Sequence, residues 1–435
     1  MTPSRVRYGV VGFALSLAVL SYVQRVAISQ AAGPIAADLG LNKVQLGAVL
    51  GAFGLSYALF EIPMGLLGDK LGVRRVLTQI VIIWSIFTAL TGAAWNLASL
   101  WTLRFLFGAG EAGCFPNLTR MLSQWLPSGE RVRAQALMWA STRWGGAAAP
   151  PLALAGITLF GWRWSFVAFA LLGVLWAIAF MLWFHENPAD HPKVNAAERA
   201  LLSEATRLTS HHEEGWTHIL RRPQTLLLML QYFCWSYVWY FFVTWMPTYL
   251  HEAHGQSAAA TAGLSVLPLL LGGFGSLISG LLPLRIPRRL IAIGAFATVA
   301  LLLVALTHAP SAGIAIALMA AISFCGDLTV PISWNACVEI GRRYTATVAA
   351  AMNMFANFSG FVAPWIAGII LQKSGDDWNQ VLHVMTGVAA LGAVLWLFIN
   401  PTGQRATDET QTETDTEATP ASEALQPFKP SGVTL

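Results

Sequence analysis

Charge is what this chain lacks. Only 11% of its 435 residues are Asp, Glu, Lys or Arg, against about 25% in an average soluble domain. A water-soluble globule of this size cannot cover itself with so few charges. The apolar bulk, 55% of residues, equally excludes a disordered or collagenous chain. Cysteine is nearly absent. Cys114, Cys234, Cys325 and Cys337 all sit in apolar stretches, which excludes a disulfide-stapled scaffold and reads as buried free thiols. No cysteine spacing suggests a metal site, and His211-His212 has no matching ligands, so neither metal nor cofactor is expected. No nucleophile–base constellation marks an enzyme. A net charge of +4 gives no reason to expect nucleic acid. What the chain does have is apolar runs with 18 Trp and 38 Gly, and the remaining class is a polytopic helical membrane protein.

A membrane span needs about 20 mostly apolar residues. On that measure the sequence predicts an all-α integral membrane protein with twelve transmembrane helices, centred near residues 20, 56, 84, 110, 146, 174, 236, 270, 298, 325, 358 and 390. The first run follows Arg5 and Arg7 but contains Arg25 and lacks a small-residue cleavage site, so it reads as a span rather than a signal peptide. The predicted domains are a six-helix bundle over 1–184, a cytoplasmic linker over 185–223 and a second six-helix bundle over 224–400. A polar tail without periodicity (401–435) follows and reads as disordered. Within the linker, AAERALLSEATRL has the pattern of a surface helix.

Lysine and arginine in short loops set orientation. With a cytoplasmic N-terminus, the inner loops hold Lys70, Arg74, Arg75, Arg120, Arg131, Arg133, Arg285, Arg288, Arg289, Arg342 and Arg343. The outer loops hold only Lys43, Arg163 and Lys373. Both termini are therefore expected in the cytoplasm of a cell with this inner-membrane protein.

The halves repeat. GLLGDKLGVRR (Gly65 to Arg75) recurs as GLLPLRIPRR (Gly280 to Arg289), and RWGGAAAP (Arg143 to Pro150) as NFSGFVAP (Asn357 to Pro364). Gly110-Glu111 with Pro116 recurs as Gly326-Asp327 with Pro331. All three pairs share an offset of 214 to 216 residues. Three matches in one register predict two parallel six-helix repeats with a site between them.

An ionisable residue in mid-membrane costs about 2.5–3.5 kcal/mol on insertion scales, so each needs a partner or a task. Arg25, Arg104, Glu111, Arg143 and Asp327 are the five singled out; together they carry one net positive charge, which favours an anion. Glu111 is the candidate proton carrier, and the arginines are candidate clamps for a substrate carboxylate, packing between helices being the alternative. Asp327 either pairs with Arg143 across the halves or serves as a second proton site. Tyr232, Trp235 and Trp239 share a helix face and either meet a substrate or pack against neighbours. Tyr57, Gln24, Asn117, Trp334, Asn353 and Asn357 complete the candidate substrate set, with interhelical hydrogen bonding as the other use for their polar groups.

GLLGDKLGVRR is similar to the helix 2–3 signature of the major facilitator superfamily. SYVQRVAIS, RFLFGAGEAG, YFFVTWMPTYL and NPADHPKVNAAER narrow the resemblance to the anion:cation symporter family, over about Arg7 to Pro401. That family includes bacterial sugar-acid transporters and, in animals, sialin. The resemblance implies proton-coupled transport of an organic anion, a proton role for Glu111 and a substrate role for Arg25. It also implies gating roles for Asp69 and Arg75, with Asp69 capping a neighbouring helix and meeting basic groups of helix 4; the repeat counterpart of Asp69 is Leu284. In the sugar-acid branch an Asp precedes the helix 1 arginine, where this chain has Gln24, and an amide is common at the place of Arg143. These departures keep anion exchange without net proton movement open. A transporter-like ligand sensor is the third reading. The expected partners are a small organic anion, protons and the lipid bilayer, with the protein acting as a monomer.

Overall fold

The computed structural model describes residues 2–41, 43–202, 215–255, 266–282 and 286–400. The tail, His211, His212 and Leu284 lie outside these residues. Helices α1 (Val6–Leu39), α2 (Lys43–Leu71) and α3 (Val73–Thr91) make three passes. The fourth comes in two pieces, α4 (Leu97–Glu111) and α5 (Cys114–Trp125). Helix α6 (Ser128–Trp183) has 56 residues, about 84 Å at 1.5 Å per residue and far more than the ~30 Å hydrocarbon core. It breaks at Gly161, whose φ of 71° is open to a residue without Cβ, and so supplies passes five and six.

A short α7 (Trp216–Arg221) leads into α8 (Pro223–Thr244) and α9 (Met246–Glu252), which form the seventh pass. Then come α10 (Val266–Leu281), α11 (Arg288–Leu306), the two-piece tenth pass α12 (Ala312–Asp327) and α13 (Thr329–Gly341), α14 (Thr345–Ser374) and α15 (Trp378–Trp396). The twelve passes agree with the hydrophobic pattern. Among the described residues, seven helical runs are long and apolar enough to cross a membrane by length and composition.

The broken passes are the fourth and tenth, which are partners in the repeat, and each first piece ends on an acid: Glu111 in α4, Asp327 in α12. The second pieces, α5 and α13, are buried on nearly every side. They fill the end of the molecule that carries the α2–α3 turn. Helix α2 lies along α14 and the start of α6 along α10, which joins the first six passes to the last six. The α2–α14 approach requires Gly65, where a Cβ would stand 2.6 Å from the Ala346 carbonyl oxygen.

Helix starts are satisfied differently at the two ends. Asn96, Ser311 and Asp377 cap α4, α12 and α15 from the adjoining residue. At the α2–α3 end, carboxylates from distant segments do the work. Glu198 accepts from Val6 N and Arg7 N of α1, Glu186 from Val73 N and Arg74 N of α3, and Asp69 from Ala346 N and Thr347 N of α14. An anion at a helix N-terminus meets both unpaired N–H groups and the positive end of the macrodipole. The described part of the linker helix, 196–202, is thus docked on α1 through Glu198, Ser4 and Arg7.

Candidate functional site

A cavity of about 90 Å³ lies where the two sets of passes face each other. Tyr22, Arg25 and Tyr57 line one side, and Tyr232, Trp239 and Asn357 the other. Its two arginines are each tied to an acid. Arg25 Nη2 donates to Glu111 Oε1 at 2.8 Å, and Ser21 Oγ donates to the same oxygen. Arg143 makes a fork with Asp327, Nε to Oδ2 and Nη2 to Oδ1, each 2.8 Å. The Arg143 guanidinium lies 3.5 Å from the Trp239 ring centroid, a cation–π contact that holds its plane. Arg25 is enclosed by the rings of Tyr22, Phe53 and Tyr57, 4.7–5.1 Å from its guanidinium carbon.

Each acid is within reach because its helix ends there, at the equivalent break in passes four and ten. Both acids are fully buried, and burial of an unpaired charge is costly, which explains why each faces a guanidinium. Donor capacity remains. Arg25 Nε and the Tyr57 hydroxyl have no hydrogen-bond partner among the described residues, so both are available to an anion.

Aromatic rings floor the cavity toward the α2–α3 end. Phe115 stacks on Trp139 at 5.1 Å, and Trp139 meets Trp334 across the halves at 5.0 Å. Trp334 Nε1 donates to the Tyr232 hydroxyl at 2.7 Å. Trp334 is wholly buried beneath the cavity and does not line it, whereas Trp235 and Asn353 do.

Three other candidates do not line the cavity. Gln24 donates to the Phe169 carbonyl at 2.6 Å and accepts from Thr88. Asn117 donates to the Gly113 carbonyl at the break in the fourth pass and to the Met64 carbonyl of α2. Arg104 packs on Phe107, 1% exposed, with Nε and Nη1 unpartnered among the described residues and outside the cavity lining.

The sequence reading missed Glu61. It is completely buried on α2 and accepts from Asn353 Nδ2 and from Asn357 Nδ2 on α14. A lone carboxylate in the apolar stretch between Lys43 and Asp69 was the available signal. Counting Glu61 as ionised cancels the single positive excess carried by the other five groups.

At the α2–α3 end Asp69 does cap α14, and its basic partner is Arg120 on α5, at 2.5 Å. Arg120 belongs to the fourth pass, where the resemblance implied basic groups for Asp69, while Arg75, the other residue given a gating role, is exposed. Arg120 also donates to the Arg343 carbonyl, so α2, α5 and the start of α14 are locked together and this end is closed.

A family model of the Major Facilitator Superfamily matches residues 14–364. The chain belongs to this superfamily. A probable sulfoacetate transporter of Cupriavidus necator is 31% identical over 409 residues, covering 91% of this chain and 94% of that protein. A hexuronate transporter of Bacillus subtilis is 27% identical, covering 86% and 90%. Among solved structures, the proton:xylose symporter XylE, with 6-bromo-6-deoxy-D-glucose bound, superposes with a TM-score of 0.75 at 12% identity, over 91% of this chain and 96% of that one. That likeness shows the fold, two repeats of six transmembrane helices. A superfamily member moves its cargo without chemical change, and this chain is a multi-pass membrane transporter rather than an enzyme.

Proposed function

We propose that the protein carries a small organic anion together with protons across the inner membrane by alternating access, as a monomer with both termini cytoplasmic. The observation that carries this reading is the Arg25–Glu111 pair at the cavity wall. A proton on Glu111 removes the charge that holds Arg25, and the guanidinium can then give its donors to a carboxylate or sulfonate. Anion and proton thus favour each other's binding. Arg143, held by Asp327 and Trp239, and the Tyr57 hydroxyl complete the anion side.

Similarity to a sulfoacetate and a hexuronate transporter supports an organic acid as cargo. A cavity of only about 90 Å³ favours a small acid. With the arginine-rich loops inside, the locked α2–α3 end is cytoplasmic and the conformation faces outward. Bundles 1–184 and 224–400 then rock about the cavity. Exchange without net proton movement is the second reading. It is favoured by Gln24, which cannot titrate and is bonded to Phe169.

Proteoliposomes separate these readings. A pH gradient is expected to drive accumulation of sulfoacetate or a hexuronate by the wild type, and Glu111→Gln to abolish it while counterflow survives. Normal gradient-driven accumulation by Glu111→Gln removes Glu111 from proton coupling. Uptake by the wild type that ignores the gradient supports exchange.

A further inference from the structure

Six arginine and carboxylate side chains lie in and around the cavity region: Arg25, half-buried, and the buried Arg104, Arg143, Glu111, Asp327 and Glu61. Two of the acids face guanidinium groups within 2.8 Å. Glu61 does not. No cation lies within ion-pairing distance of it among the described residues, and its hydrogen-bond partners there are the neutral amides of Asn353 and Asn357. Arg25 is the cation whose field reaches it, and Arg25 is committed to Glu111. Tyr57 of α2 and Tyr240 of α8 are the other titratable groups whose fields couple with it, and Arg104 and Glu111 are the charged groups of α4, the helix packed on α2. Helix α14 presents only the two amides.

The amides are the informative part. Asn353 donates to one carboxylate oxygen and Asn357 to the other, so both oxygens act as acceptors from a helix of the opposite half. Asn357 is held in this sense because its own Oδ1 accepts from the Tyr240 hydroxyl at 3.0 Å. A proton on either Glu61 oxygen makes that oxygen a donor and a poorer acceptor, so the amide N–H facing it is held less firmly. The ionised acid therefore ties α2 to α14 through both oxygens, and protonation weakens one of the two ties.

Charge adds a second consequence. With Glu61 ionised, three acids balance three arginines. With Glu61 protonated, the region regains one positive charge, which favours an incoming anion. An uncompensated carboxylate in low dielectric also holds its charge at a cost that a proton removes.

We propose that Glu61 is a proton-binding site of the transport cycle, with its proton set against both the α2–α14 tie and the charge seen by the anion. The role in transport rests on the proton-coupled reading above; proton binding itself does not. Purified full-length protein in phosphatidylethanolamine–phosphatidylglycerol liposomes, without substrate, is suited to pH-difference infrared spectroscopy. The wild type is expected to gain a carboxylic-acid C=O band as the pH falls. That band should be lost in Glu61→Gln, kept in Glu111→Gln and displaced in frequency in Glu61→Asp, which retains the acid should the amide fail to fold. A band unchanged in both Glu61 variants, or no titrating band while the protein stays folded, overturns the proposal.

Spin labels replacing the exposed Leu67 on α2 and Phe358 on α14, in a background without native cysteines, read the tie. Their separation should lengthen on acidification and become insensitive to pH with Glu61→Gln. A wild-type distance that ignores pH overturns the coupling. In uptake assays Glu61→Gln should lower the protons moved per anion. If the wild type carries no anion, the transport reading fails while the infrared result still decides Glu61. If uptake proceeds with an unaltered proton ratio in Glu61→Gln, the transport reading stands and this one falls.

Discussion

Arg143 and Asp327 lie 184 residues apart in the chain and meet through two parallel hydrogen bonds of 2.8 Å each, one partner on each half of the repeat. The fork geometry uses the guanidinium plane fully, which a lysine could not reproduce. Asp327 is wholly buried and Arg143 nearly so. Removing either partner strands a charge in low dielectric, at a cost of about 3–5 kcal/mol. Asp327→Asn and Arg143→Gln are each expected to lower the unfolding midpoint in detergent. The double variant should be less damaged than the sum, with an interaction energy above about 0.5 kcal/mol in a double-mutant cycle. Additive losses would mean that the two side chains act independently, Asp327 as a separate proton site.

Those two residues were legible in the sequence because a charge inside an apolar helix demands a partner, and counting along each helix puts both near the midplane. The twelve passes were legible for a similar reason, since hydrophobic length alone marks a span. Arg104, Gln24 and Asn117 show where the argument loses force. Polarity within a span shows that a side chain needs a partner, but the direction it takes depends on neighbouring helices. Gln24 found a carbonyl of α6 and Asn117 two carbonyls beside a helix break, so neither reaches the cavity. Arg75 is a matter of helix face: it is exposed, while Asp69 meets the fourth pass through Arg120 of α5, as the resemblance implied. Glu61 became meaningful only once α14 brought two amides to it.

The closed end depends on close backbone approach and on one carboxylate. A side chain at Gly65 would collide with Ala346 O at 2.6 Å and Ala350 Cβ at 2.7 Å, both on a helix start that Asp69 holds by two N–H bonds and the Thr347 hydroxyl. Gly65→Leu should prevent this packing and shift the population to the opposite state, and Asp69→Asn should weaken it by leaving Arg120 without its anion. Maleimide labelling of a cysteine placed at the buried Ala346, with native cysteines replaced, reads the shift. Labelling several-fold faster than in the parent is expected for both variants. Equal rates would show that this contact does not limit opening.

The linker latch offers a test in pH. Glu198 takes hydrogen bonds from Ser4 Oγ at 2.5 Å, from Val6 N and Arg7 N at 3.2 Å, and from Arg7 Nη1 at 3.0 Å. Burial pushes its carboxyl up, but the Ser4 and Arg7 hydrogen bonds outweigh that effect and hold it below the ordinary 4.5. A group lowered on folding contributes its stabilisation in full above its unfolded value and loses it as the pH falls through the folded one. The latch should therefore hold unchanged from neutral pH to about 5 and release only below the ordinary carboxylate range. Hydrogen exchange in the first turn of α1, corrected for intrinsic rates, measures this directly. Glu198→Gln keeps an acceptor but loses the anion at the helix start, and should cost about 0.5–2 kcal/mol of local protection, the range for a lost cap. The variant's own protection should not change with pH, since the amide does not titrate, so its deficit against the wild type should shrink once the pH falls below the ordinary carboxylate range. Protection in the wild type that fades between pH 7 and 5 would point to a histidine of the linker instead, His191 being packed against Trp125 and Trp183 close by.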